Sequence, residues 1–214
     1  MRYNTYLFDF DGTLVDSMQA FASVMLKILD ENGVSYPPDI IKTVTPLGCP
    51  KIARYFKDEL GLNMSENAIL ELMYLYLYDE YAHNIQAKKT VKETLVELKR
   101  RGASLNVLTA SPHITLDVCL RRLGLLELFD NVWSCDDFKT SKTDPDIYRR
   151  ASERLGVPID GILFVDDNYN ADLAAKKSGI AVSGIYDLSS ADYADEIKRV
   201  ADYYIYELSE ILYI

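Results

Sequence analysis

The sequence predicts an α/β protein in which a mostly parallel sheet is covered by helices on both faces, with a run of helices inserted after the first strand. Three observations carry that expectation. Helix-like and strand-like segments alternate from Val91 onward, no strand-like segment appears between about Asp16 and Gln86, and glycines fall just past several helical patterns.

The elements follow in order. Tyr3 to Phe8 is a short aromatic and aliphatic run suited to a buried strand. Beyond the polar Asp-Gly-Thr segment, Phe21, Val24, Met25, Ile28 and Leu29 recur at helical spacing, and Gly33 ends that helix. Pro37-Pro38 break the chain, and a short helix runs through Ile40 and Ile41. Thr45-Pro46-Leu47-Gly48-Cys49-Pro50 reads as a loop, with Pro50 in the first turn of a helix whose inner face is Ile52, Tyr55 and Phe56. Ser65 is the expected N-cap of a long helix carrying Ile69, Leu72, Met73 and Tyr76. The tyrosines Tyr74, Tyr76, Tyr78 and Tyr81 are expected to pack rather than to form a binding platform. Residues 16–86 thus form a helical subdomain, and 1–15 with 87–214 form the core.

In the core, Val91 to Arg101 is a helix stopped by Gly102, and Ser104 to Leu108 a strand. Ile114 to Leu123 is a helix stopped by Gly124, and Val132 to Ser134 a short strand. Asp146 to Leu155 is a helix between Pro145 and Gly156, followed by a strand over Gly161 to Val165. Ala171 to Ser178 is a helix and Ile180 to Gly184 a strand. Tyr203-Tyr204-Ile205 is an expected edge strand before a last short helix.

The chain of 214 residues is long enough for one or two domains, and its 49% apolar and 26% charged content is that of a globular protein. A net charge of −10 argues against nucleic-acid partners, which require a basic patch, but not against a small anion met by one local cation. Cys49, Cys119 and Cys135 show no zinc or redox spacing. With no membrane-length apolar run and no visible signal peptide, a cytoplasmic protein without a membrane partner is expected, monomeric or homodimeric.

In doubly wound sheets, ligands bind beyond the carboxyl ends of the strands. Asp9-Phe10-Asp11-Gly12-Thr13 follows the first strand, Thr109-Ala110-Ser111-Pro112 the second, and Asp166-Asp167 the fourth, with Asp172 soon after. Lys142 lies in the loop beyond the third strand. So many carboxylates in one mouth call for a cation, and an all-oxygen donor set without histidine or thiol selects Mg²⁺, with Asp9, Asp11, Asp166 and Asp167 as candidate ligands. An ionised Asp9 can attack phosphorus, while Asp11 can protonate the leaving oxygen and then deprotonate water. Thr109 can donate to a phosphoryl oxygen and Lys142 can offset its developing charge. Gly12 lets the backbone approach the phosphate closely, Ala110 offers only its backbone amide, and Lys51 and Arg54 are candidate contacts for the rest of the substrate, unless they merely cover a helix surface. Asp172 stands at a helix start, where an acid also complements the dipole, so its role stays open. His83 and His113 read as incidental.

These residues, with Asp9-Phe10-Asp11-Gly12-Thr13-Leu14-Val15-Asp16-Ser17 foremost, closely resemble the first motif of the haloacid dehalogenase superfamily. Val107-Leu108-Thr109 resembles its second motif, Lys142-Thr143-Asp144-Pro145-Asp146-Ile147-Tyr148 its third, and Phe164-Val165-Asp166-Asp167 its fourth. The resemblance spans essentially the whole chain. It implies a Rossmann-like core, a magnesium cofactor and a nucleophilic aspartate. It also implies a small helical cap like that of the phosphoglycolate phosphatase and β-phosphoglucomutase relatives, closing over a small phosphorylated metabolite. The second acid, Asp11, points to phosphoryl transfer rather than dehalogenation. Ser141-Lys142-Thr143 departs from the usual Gly-Lys-Pro, Asp166 stands where many relatives have glycine, and Ala110 replaces asparagine or serine. A phosphatase is the leading expectation, a phosphomutase the alternative, and an aspartate-phosphorylated signalling module a distant third.

Overall fold

The computed structural model of the protein describes residues 2–45 and 47–214, so Pro46, which the sequence assigns to a loop, lies outside them. Two compact units divide the chain. One comprises the segment up to Asp16 together with Gln86–Ile214, and the other is Ser17–Ile85.

The first unit is built on a six-stranded parallel sheet. Its strands are β1 (Thr5–Phe8), β2 (Ser104–Thr109), β3 (Asn131–Ser134), β4 (Ile162–Asp166), β5 (Ala181–Ile185) and β6 (Tyr203–Ile205), in the order β3-β2-β1-β4-β5-β6. The chain winds outward from β1 in one direction through β2 and β3, and in the other through β4, β5 and β6. This is the doubly wound α/β topology, with its switch point between β1 and β4. Those two strands pair with Leu7 opposite Phe164 and Phe8 opposite Val165. All residues of both strands are buried, which is why Tyr6 to Phe8 and Ile162 to Val165 read as continuous apolar runs rather than alternating ones.

On one face Leu7, Leu108, Phe164 and Val182 pack against Ile147, Tyr148 and Ala151 of α7 (Asp146–Leu155) and Ala171, Ala174 and Ala175 of α8 (Tyr169–Ser178). The three alanines let α8 lie close to the sheet. Helices α5 (Val91–Arg100) and α6 (His113–Arg122) precede and follow β2. A last helix, α9 (Ala194–Val200), packs so tightly on β5 that a Cβ on Gly184 would stand 2.3 Å from Ile197 Cγ2.

The second unit holds α1 (Met18–Glu31), α2 (Ile40–Val44), α3 (Cys49–Asp58) and α4 (Glu66–Asp79). Its core combines Val24, Met25, Ile28 and Leu29 with Ile52, Ala53, Phe56, Ile69, Met73 and Leu77. The Ser65 hydroxyl accepts from the Ala68 N–H at 3.2 Å, the expected N-cap.

Several sequence expectations need correction. Tyr81 packs, but Tyr74 and Tyr78 are exposed, because α4 turns them outward. Gly161 belongs to a tight turn before β4, while Asp166 is the strand's last residue. α8 starts at Tyr169, since the Asn168 side chain accepts from the Asn170 and Ala171 amides and caps it there. The C-terminal segment Leu208–Tyr213 is a 3-10 turn, and α9 has no counterpart in the sequence reading.

Candidate active site

The site grows out of the end of β1. The Asp9 N–H donates to Val165 O at 2.9 Å, so the ladder to β4 continues one residue past the strand and sets Asp9 beside Asp166. The chain then turns sharply. The amides of Leu14 and Val15 both donate to Phe10 O, and Gly12 N–H donates to Val15 O at 3.0 Å. Gly12 sits at φ +77°, which favours glycine, and a Cβ there would lie 2.7 to 2.8 Å from the Asp167 carboxylate. Its amide is therefore engaged within the turn, and the absent side chain makes room for Asp167.

Three carboxylates converge at this point. Asp9, Asp166 and Asp167 are all buried, and each offers an oxygen within 4.8 Å of the others. Lys142 bridges two of them, with Nζ 2.6 Å from Asp9 Oδ1 and 2.7 Å from Asp166 Oδ2. The Tyr148 hydroxyl donates to Lys142 O at 2.8 Å and anchors that loop to α7. The other Asp166 oxygen accepts the Asn168 N–H at 2.7 Å, which fixes Asp166 on both sides.

Asp172 does not cap a helix. Asn168 performs that task, and Asp172 lies within α8, buried beside the cluster, with neither carboxylate oxygen accepting a hydrogen bond. Its buried oxygens are left without hydrogen-bond partners, a cost that calls for a compensating group.

The electrostatics agree. Burial, reinforced by the charges of Asp166 and Asp11 and opposed by Lys142, pushes the Asp9 carboxyl up to about 7. Burial and then the Asp166 charge hold Asp167 and Asp172 well above the ordinary carboxylate range. Burial works against the Lys142 ammonium, but Asp166 and Asp9 outweigh it and keep it protonated. The one ammonium pairs with Asp9 and Asp166, so among the described residues Asp167 and Asp172 have no cation beside them, and burial holds them toward their neutral form. An oxygen-only group of buried acids whose ionisation needs a further positive charge fits a hard divalent cation.

Asp11 and Thr109 are placed differently. The Asp11 carboxylate stands outside the three-carboxylate group and accepts a hydrogen bond from the Ser111 hydroxyl. Thr109 is buried at the end of β2, with its hydroxyl oxygen 3.1 Å from the Ser111 N–H, and Ala110 is exposed beside it. Lys51 and Arg54 belong to the second unit, exposed on α3, where Arg54 lies 3.6 Å from Glu66.

Two residues carry roles that the sequence did not announce. Lys88 Nζ donates to Gly12 O at 2.6 Å, Tyr186 O at 3.0 Å and Asp187 Oδ2 at 2.9 Å, tying the β1 turn to the loop after β5. Ser111 meets Asp11, and its place two residues after Thr109 was the only available signal. His113 is not incidental either. Its ring nitrogens stand 3.0 Å from Asp117 and 2.9 Å from Asp137, joining α6 to the turn after β3.

The family model described as haloacid dehalogenase-like hydrolase matches residues 6–185. Pyrophosphatase PpaX of Bacillus velezensis is 29% identical over 217 residues, covering 100% of this chain and 96% of that protein. Among solved structures, a predicted phosphoglycolate phosphatase from Haemophilus somnus superposes with TM-score 0.83 at 21% identity, over 100% of this chain and 98% of that one. CbbY from Rhodobacter sphaeroides, in complex with xylulose-(1,5)bisphosphate, gives TM-score 0.81 at 22% identity, over 97% and 96%. At these identities the structural likenesses establish the fold.

Proposed function

The chain belongs to the haloacid dehalogenase-like hydrolase family, and from that membership we propose that it is a magnesium-dependent phosphatase acting on a small phosphate ester. The observation that carries the proposal is the buried group of Asp9, Asp166 and Asp167, bridged by Lys142, at the carboxyl ends of β1 and β4.

In this reading an Asp9 oxygen attacks phosphorus as the bond to the leaving oxygen breaks, giving an aspartyl-phosphate. Asp11 gives its proton to the leaving oxygen, then takes one from the water that displaces phosphate from Asp9. Lys142 holds Asp9 in place and balances charge on the transferring group, and Thr109 supplies a hydroxyl at the mouth. Asp9, Asp166 and Asp167 would hold Mg²⁺, which supplies charge neutralisation for the phosphoryl oxygens. Gly12 permits the close approach of Asp167, and the Ala110 amide is a further phosphate donor. The inserted unit Ser17–Ile85 is the proposed cap, with Lys51 and Arg54 its candidates for recognising the rest of the substrate. The free thiols Cys119 and Cys135 are buried, in keeping with a cytoplasmic setting.

A second substrate reading, inorganic pyrophosphate, is favoured by the full-length relative named pyrophosphatase. That name also weighs toward hydrolysis over the phosphomutase alternative.

The test is phosphate release from a panel of small phosphomonoesters and pyrophosphate, with and without Mg²⁺, for the natural protein and Asp9→Asn. Magnesium-dependent release that falls at least about a thousandfold in the variant is expected, and the best panel member identifies the substrate. Undiminished turnover by Asp9→Asn would overturn the nucleophile assignment.

A further inference from the structure

We infer that Ser111 is a positioning residue for Asp11, orienting the acid–base carboxylate toward the leaving oxygen; the inference rests on the phosphatase reading above. The Ser111 hydroxyl donates to Asp11 Oδ2, one oxygen of the carboxyl group, and leaves the other oxygen for the proton that is transferred.

Ser111 stands on a fixed base: its N–H donates to Thr109 Oγ1 at 3.1 Å, and Pro112 follows directly, stiffening the chain. Pro112 O in turn accepts from the Thr115 hydroxyl at 3.0 Å and from the amides of Thr115 and Leu116 at 3.1 Å, which locks the start of α6. Asp11 has a fixed backbone, bridged to Val15, but its side chain is only half-buried and lies outside the tightly packed carboxylate group. The Ser111 hydroxyl is thus a contact from a rigid loop that sets the direction of a half-buried carboxyl group. A displaced acid slows proton transfer without weakening the grip on phosphate.

This role has a signature that a substrate contact or a purely structural role lacks. Protonation matters when the leaving group is an alkoxide and matters little when it is p-nitrophenolate. The comparison uses kcat/KM, which reports events through departure of the leaving group, for the best alkyl phosphate of the panel and for p-nitrophenyl phosphate. Ser111→Ala should lose roughly ten- to a hundredfold on the alkyl ester and less than about threefold on the aryl ester. Ser111→Thr, which keeps the hydroxyl, should recover most of the loss. In an Asp11→Asn background, Ser111→Ala should have no further effect.

Equal losses on both esters, or a Ser111→Ala loss that persists in Asp11→Asn, would overturn the role of Ser111 and leave the phosphatase reading standing. An Asp11→Asn variant with no preference between leaving groups would instead overturn the acid assignment, and the inference with it.

Discussion

Asp9→Asn should stabilise the metal-free protein increasingly as pH rises. In the folded protein the Asp9 carboxyl is pushed up to about 7, with burial as the largest cause, from an ordinary value of 3.8. The folded chain therefore binds this proton more tightly than the unfolded chain does. The corresponding stability is fully present below 3.8 and is lost as pH climbs through 7. Each unit is worth about 1.4 kcal/mol, and because the folded group is half ionised near 7, the loss between pH 5 and 8 comes to about 2–3 kcal/mol. For a chain of this length that corresponds to roughly 5–10 °C in Tm. Asparagine has the same shape and does not ionise, so its melting curve lacks this component. His113, raised by its bonds to Asp117 and Asp137, loses stability in the same direction at higher pH, but it does so in both proteins and cancels in the comparison. The assay is thermal unfolding by circular dichroism in EDTA at pH 5, 6, 7 and 8. The gap between variant and natural protein should widen by the stated amount, and saturating Mg²⁺ should narrow it by stabilising the natural protein more. A gap that stays constant across this range would refute the claim that burial raises the Asp9 carboxyl despite its contact with Lys142.

Lys88→Met would strand the Gly12 carbonyl and the buried Asp187 carboxylate, and urea unfolding should show a loss of about 2–4 kcal/mol that Lys88→Arg does not restore, because a guanidinium cannot point three donors at these three oxygens. Gly12→Ala should lower turnover at least about tenfold and stability by about 1–3 kcal/mol, since the new methyl group must displace the Asp167 carboxylate as well as occupy φ +77°. Gly61→Ala is its control: φ is +71° with nothing within 4 Å, so only the conformational component of about 1 kcal/mol should appear, with turnover unchanged.

The sheet was legible because buried parallel strands carry their signal locally. Tyr6-Leu7-Phe8 in β1 and Ile162 to Val165 in β4 are unbroken apolar runs, and the glycines that end the helices are themselves the physical stop signals. Where the signal was weak, the reading drifted. α9 is a seven-residue helix with Ile197 as its only buried side chain, too short to display a period. Asp166 reads as a loop acid by type, yet it closes β4 because Lys142 and the Asn168 amide satisfy its charge. Asp172 shows why type and position alone leave a role open. It stands in the first turn of α8, where an acid complements the dipole, and only the burial of its unpartnered oxygens sets it apart from an ordinary first-turn acid.

The candidate site divides along the same line. Asp9, Asp166 and Asp167 could be read from sequence because each sits at or just beyond a strand end, and parallel order brings those ends together whatever the side chains do, while Lys142 reaches them from the longer loop after β3. Lys88 and Ser111 could not, since their partners lie 76 and 100 residues away and no local period encodes a single hydrogen bond. Topology thus gathers the reacting groups, but their orientation depends on contacts that topology leaves free. Two neighbouring acids of the same turn end in different settings for that reason. Asp9 is fixed by the ladder and by Lys142, whereas Asp11 is directed by a hydroxyl from the loop after β2. In the proposed mechanism the attacking carboxylate and the proton-transferring one must meet the substrate from different sides, and these different partners are what would let one short turn supply both.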